Sequence, residues 1–125
     1  DPTHVGGLTM GADPIAYAIA HVSALEGWVI DGFSVRKSAK DHGTGQRIEG
    51  GLPKDGRALM VEDTMTTGLS TLQAIDAVRA HGAEVLGVIT LVNRSEDAGA
   101  LYKAQGLPLI SLYTGAELLE AAQSS

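Results

Sequence analysis

The chain has 125 residues, a formal net charge of −6, a hydrophobic fraction of 44% and no cysteine. That length supports one domain over 1–125 with a single core. The composition argues against disorder, and the absence of Cys excludes disulfides and thiolate metal sites. The acidic balance argues against a nucleic-acid partner, and the lack of a long apolar run or leader sequence against a membrane one, so a soluble, cytoplasmic protein is expected.

A first strand opens almost at once and leads into a Gly-rich turn. Asp13 suits a helix N-cap and Pro14 the first helical position. Ile15, Ala18, Ile19, Val22 and Leu25 then recur at the spacing of an amphipathic helix. A strand is predicted over Val29–Val35, followed by a polar, Gly-rich stretch from Arg36 to Gly56 with little periodicity. Arg57–Val61 is a short apolar run of the kind buried on both faces of a parallel sheet. Ser70–His81 carries Leu72, Ile75 and Val78 on one stripe and stops at Gly82. Val85–Val92 reads as a buried strand, Asp97–Gln105 as a helix closed by Gly106, Leu109–Leu112 as a strand and Ala116–Ala122 as a last helix. This alternation predicts an α/β domain, a mainly parallel sheet flanked by helices, with right-handed crossovers.

In such sheets ligands bind beyond the carboxyl ends of the strands. The residues expected there are Gly6-Gly7-Leu8-Thr9, Arg36-Lys37, Glu62-Asp63-Thr64 and Asn93-Arg94. Glycines, cations, carboxylates and hydroxyls meeting at one edge suit a phosphate-bearing sugar. Five of the nine Lys and Arg side chains (Arg36, Lys37, Lys40, Arg47, Lys54) lie between positions 36 and 54, which also points to a small polyanionic ligand. A structureless stretch of this length inside a compact domain is usually functional.

The richest segment runs from Ala58 to Thr71. A buried strand delivers Glu62 and Asp63, a hydroxyl-rich turn with Gly68 follows, and a helix begins. Amide groups and hydroxyls converging at a helix start favour a phosphate monoester. The adjacent carboxylates can accept hydrogen bonds from sugar hydroxyls and offset positive charge on a ribose ring. The spacing matches neither the nucleotide-binding P-loop nor the dinucleotide fingerprint.

This run, an apolar strand, two acids and Thr-x-Thr-Thr-Gly, resembles the signature of the type I phosphoribosyltransferases, whose core is Rossmann-like and which bind phosphoribosyl pyrophosphate. Arg36-Lys37-Ser38-Ala39-Lys40-Asp41-His42-Gly43 is similar to the catalytic loop of the members that act on orotate. The resemblance implies a flexible catalytic loop over about 36–52 that closes as a lid, with Lys40, His42 and Asp63 as catalytic residues. It implies that Arg36, Lys37, Lys40 and His42 contact the diphosphate. Glu62, Asp63, Thr64, Met65, Thr66, Thr67, Gly68, Leu69 and Ser70 would then bind the ribose 5-phosphate, with Thr9 and Met10 in a further diphosphate turn. Thr66 and Arg94 would contact orotate, since a guanidinium matches a planar carboxylate. Magnesium is implied as cofactor, held mainly by substrate and water, and a homodimer with shared sites as the assembly.

Two departures from the pattern stand out. Many relatives carry an aromatic-Lys pair where this chain has Met10-Gly11, so backbone donors would do more of the work. The helices and small hood that usually precede the first strand in these enzymes have no counterpart in this sequence. Two other readings stay open: a purine-type phosphoribosyltransferase, and a non-catalytic regulator that senses phosphoribosyl pyrophosphate on the same scaffold.

Overall fold

The computed structural model describes residues 1–37 and 47–124. It contains β1 (His4–Leu8), α1 (Asp13–Leu25), β2 (Asp31–Val35), β3 (Ile48–Glu49), β4 (Arg57–Met65), α2 (Leu69–His81), β5 (Glu84–Asn93), α3 (Ala98–Ala104), β6 (Leu109–Thr114) and α4 (Gly115–Ser124). The strands form one sheet in the order β3-β2-β1-β4-β5-β6. Every neighbouring pair is parallel except β2 with β3. The predicted mainly parallel α/β sheet is therefore what forms. Among the described residues no helix is long and apolar enough to cross a membrane.

Helices lie on both faces. On one, α2 and α3 close a core that includes Phe33, Met60, Met65, Ile75, Val78 and Tyr102. On the other, α1 packs Ala12 and Ala16 against Val5 and Val61. Each large side chain buried in this way contributes about 1.5–3 kcal/mol. The second cluster is made of small residues because β1 is glycine-rich and its neighbours close in. A Cβ on Gly7 would stand 2.3 Å from the Val61 carbonyl oxygen and 2.8 Å from Ala12 Cβ.

That close approach corrects the reading of α1. The stripe Ile15–Leu25 was expected to be the buried face, but Ala12, Ala16 and Ser23 turn inward instead. Ile15 and Ile19 pack at the edge of the contact, whereas Val22 and Leu25 are exposed. Asp13 is not the N-cap either. Ala12 holds that position without a side-chain cap, and Asp13 is the first helical residue. Its carboxylate is engaged elsewhere, as described below.

Three boundaries also differ. The strand predicted to stop at Val61 runs to Met65, because parallel pairing with β5 continues through Glu62↔Thr90, Thr64↔Val92 and Met65↔Asn93. The acidic pair thus sits inside the strand end rather than after it. The strand predicted from Val29 begins at Asp31. The polar stretch after β2 contains β3, where Ser34 pairs with Glu49 and Val35 with Ile48.

Candidate active site

Glu62 and Asp63 are delivered by the last turn of pleat in β4, and Gly68 caps α2 three residues after that strand ends. Gly68 has φ +84°, a left-handed conformation open to glycine at little cost, and this lets the chain reverse into the helix. As at any helix start, the first amides lack an intrahelical acceptor and the dipole favours an anion there. A small cavity of about 40 Å³ opens at this point, lined by Glu62, residues 64–68, Ser70 and Thr71. The Thr67 hydroxyl accepts from the Leu69 amide at 3.2 Å, which orders the turn.

The two acids occupy different settings. Glu62 is half-buried and its Oε2 accepts from the buried Thr71 hydroxyl at 2.7 Å. Burial pushes the Glu62 carboxyl above its ordinary value; the Thr71 hydrogen bond opposes this and the neighbouring Asp63 carboxyl adds to it. Asp63 is exposed, and its Oδ1 accepts from the Thr64 amide at 2.7 Å. A carboxylate held this way can meet a sugar hydroxyl or a positive charge at the rim.

The turn between β1 and α1 approaches from the side. A Cβ on Gly11 would lie 2.8 Å from Asp63 Oδ1, so the missing side chain lets this turn close on the acid pair. The Thr9–Met10 peptide bond is cis. The Thr9 hydroxyl donates to Asp13 Oδ2 at 2.6 Å, and the Ser34 hydroxyl, from the end of β2, donates to Asp13 Oδ1 at 2.9 Å. One carboxylate therefore ties the turn to the neighbouring strand. Met10 projects outward, 78% exposed.

Beyond β2 the backbone is clamped. The Arg36 amide donates to the Arg47 carbonyl at 2.7 Å, while Arg47 Nε and Nη2 donate to the carbonyls of Arg36 and Lys37, each at 3.0 Å. The Arg36 guanidinium pairs with Glu49 at 2.6 Å across the β2–β3 ladder. Lys37 is exposed. Lys40 and His42 lie outside the described residues.

At the other side of the acid pair, the Arg94 amide donates to the Met65 carbonyl at 2.8 Å, which sets Arg94 beside Thr66 at the sheet edge. The Arg94 side chain runs past Gly115, where a Cβ would stand 3.2 Å from its Cγ. A cleft of about 640 Å³ opens there, lined by Asn93, Arg94, Ser95, Glu96, Thr114 and the start of α4. The structure thus brings Glu62, Asp63, the 64–70 turn, Thr9, Thr66 and Arg94 to one edge. The tie that Asp13 makes between loops, the bond from Thr71 to Glu62, and the parts of Ser34 and Tyr102 were not legible in the sequence. Ser34 offered only a hydroxyl near a strand end and Thr71 only a hydroxyl in the first turn of a helix, while Tyr102 has the place of an ordinary helix residue.

Residues 1–107 match the model of the phosphoribosyl transferase domain. The chain is 47% identical over 119 residues to the orotate phosphoribosyltransferase of Aquifex aeolicus, covering 95% of this chain and 65% of that protein. It is 51% identical over 115 residues to that of Streptomyces avermitilis, covering 91% and 63%. The fold is similar to the crystal structure of Mycobacterium tuberculosis orotate phosphoribosyltransferase in complex with 5-phospho-alpha-D-ribosyl 1-diphosphate, with a TM-score of 0.80 and 46% identity, covering 94% of this chain and 66% of that one. The chain therefore spans just under two thirds of the length of these relatives.

Proposed function

The chain belongs to the phosphoribosyltransferase family, and on that premise we propose that it is the core of an orotate phosphoribosyltransferase. It would transfer ribose 5-phosphate from phosphoribosyl pyrophosphate to orotate, giving orotidine 5′-phosphate and pyrophosphate. The observation that carries this reading is the hydroxyl- and amide-lined cavity at the start of α2, directly beside Glu62 and Asp63. The identity to relatives named for orotate, about half of the positions, supports the choice of base.

In the reaction the bond from the anomeric carbon to the diphosphate oxygen breaks and a bond to an orotate ring nitrogen forms, as that nitrogen gives up its proton to the departing diphosphate or to water. The departing diphosphate takes the electron pair, so positive charge grows on the ribose while negative charge grows on the leaving group. The 64–70 turn would hold the 5′-phosphate. Glu62 and Asp63 would accept from the ribose hydroxyls and offset the developing cation. Arg36 and Lys37, with Lys40 and His42 from the loop, would stabilise the diphosphate, and Thr9 and Met10 would meet it from the β1–α1 turn. For Arg36 this requires release from Glu49, its partner in the present structure. Arg94, beside Thr66 and facing a roomy cleft, is suited to the orotate carboxylate.

Among the described residues no group of three or more His, Asp or Glu side chains is arranged to hold a metal. That suits a magnesium ion carried by diphosphate oxygens and water, with Asp63 as the exposed carboxylate at the rim, rather than a protein cage. Bound there it would neutralise charge on the diphosphate.

The exposed apolar surface of α1 and the turn after it (Val22, Leu25, Trp28 and Val29), with a cleft of about 500 Å³ beside it, supports a second copy as partner. The loop of each subunit would then serve the other's site. A chain without cysteine suits a reducing, cytoplasmic setting.

The test follows orotate by its ultraviolet absorbance with phosphoribosyl pyrophosphate and magnesium. Orotate should be consumed, and Lys40→Ala should lower turnover roughly 10²–10³-fold while leaving the melting temperature unchanged. Turnover of a purine base but not of orotate would replace this reading with the purine one. Calorimetric binding of phosphoribosyl pyrophosphate without turnover of either base would favour the regulator.

A further inference from the structure

Tyr102, on α3, is among the largest fully buried side chains of the described residues, with no measurable exposure. Its ring belongs to the main core, so packing alone would account for a phenylalanine there. The hydroxyl is what needs explaining, because a buried polar group requires a partner. It finds one in the Gly68 carbonyl, to which it donates at 2.6 Å.

Gly68 is the pivot of the turn that lines the phosphate cavity. Its carbonyl also accepts the first helical hydrogen bond of α2, from the Leu72 amide at 3.1 Å. A Cβ at this position would come within 3.0 Å of the phenol oxygen, so Tyr102 both supports the turn and limits what can occupy it. From beneath, one buried side chain therefore holds the turn below the cavity.

We infer that Tyr102 is a positioning residue for the phosphate-binding turn, fixing the Gly68 carbonyl so that the amides at the start of α2 stay aimed at the 5′-phosphate. The inference deepens the proposed function and rests on its assignment of the 5′-phosphate to this cavity. It assigns Tyr102 to ground-state binding of that end of the substrate, not to diphosphate departure. The β1–α1 turn is held by Asp13 and makes no use of Tyr102.

The experiment compares Tyr102→Phe with the unaltered chain by calorimetry, using two probes. Ribose 5-phosphate carries the phosphate monoester and ribose hydroxyls; inorganic pyrophosphate with magnesium represents the leaving group alone. Removal of the phenol should weaken ribose 5-phosphate about tenfold and leave pyrophosphate unchanged, at a temperature where both proteins are folded. In turnover the same change should appear in KM for phosphoribosyl pyrophosphate, with kcat within about twofold. Equal affinity for ribose 5-phosphate in both proteins, with only the melting temperature lowered, overturns the inference and leaves the proposed function standing. If the unaltered chain binds neither probe, both fall. A second measurement covers a variant that does not fold: in the unaltered protein, ribose 5-phosphate should slow hydrogen exchange at the Leu72 amide while pyrophosphate should not. Indifference of that amide to ribose 5-phosphate also overturns the inference.

Discussion

The β4–α2 and β1–α1 junctions are both strand, short turn and helix start, yet they are secured in different ways. At β4–α2 the turn is supported from below by a core side chain, Tyr102, and its glycine adopts a left-handed conformation. At β1–α1 the support is lateral: Gly7 and Gly11 allow backbone to lie against Val61 and Asp63, and the Asp13 carboxylate gathers hydroxyls from Thr9 and Ser34. One junction inherits its rigidity from hydrophobic packing, the other from close backbone contact and one half-buried charge. Under the proposed function, a substrate with phosphate at both ends would meet two junctions that can be tuned separately.

The largest effect should come from filling the space that the second junction depends on. Gly7→Ala should lower the unfolding free energy in urea by roughly 3 kcal/mol, because the new methyl group meets the Val61 carbonyl and Ala12 with no flexible neighbour to yield. A loss under about 1 kcal/mol in that titration would mean that close approach is not what fixes the turn. Asp13→Ala comes next. It removes a charged acceptor of two hydroxyls and should cost about 2 kcal/mol, while calorimetric affinity for ribose 5-phosphate stays as it was. A parallel loss of that affinity would show the two junctions to be one unit.

The smallest effect is a slope with pH. Burial raises the Glu62 carboxyl above its ordinary 4.5, so the folded protein holds this proton more tightly than the unfolded chain. Its contribution to stability is complete below that value and is lost as pH rises through the raised one. Glu62→Gln should flatten the fall of urea-derived stability over this window. An unchanged slope would assign the pH dependence to other groups.

Much of this was legible in advance because the periodicities are strong. Alternating strands and helices, Gly82 as a helix stop and the acid-Thr run after Val61 each follow from local chemistry. What the sequence hid was set by distance in space. Asp13 followed by Pro14 has the pattern of a helix cap, yet Ser34 and Thr9 recruit its carboxylate from outside the helix. The stripe Ile15–Leu25 has helical spacing, but the glycine at position 7 of the neighbouring strand admits alanine, not isoleucine, at the closest contact. β4 outruns its apolar segment because pairing with β5 does not depend on hydrophobicity. Tyr102 carried no signal, since its partner is a backbone carbonyl thirty-four positions away.

The order of strands also bears on how the chain acquires its shape during synthesis. β1 precedes every other strand of this chain yet lies between β2 and β4, hydrogen-bonded to both. As the polypeptide emerges from a ribosome, β2 can join it after one short crossover, whereas its other edge must wait until Arg57–Met65 has been made. Through that interval the nascent sheet presents an open inner edge, and the loop that must close across it includes α1, β2 and everything up to residue 56. Sequence-distant pairing of this sort slows assembly. The centre of the sheet is therefore completed only once β4 has been made, although β1 precedes every other strand of this chain.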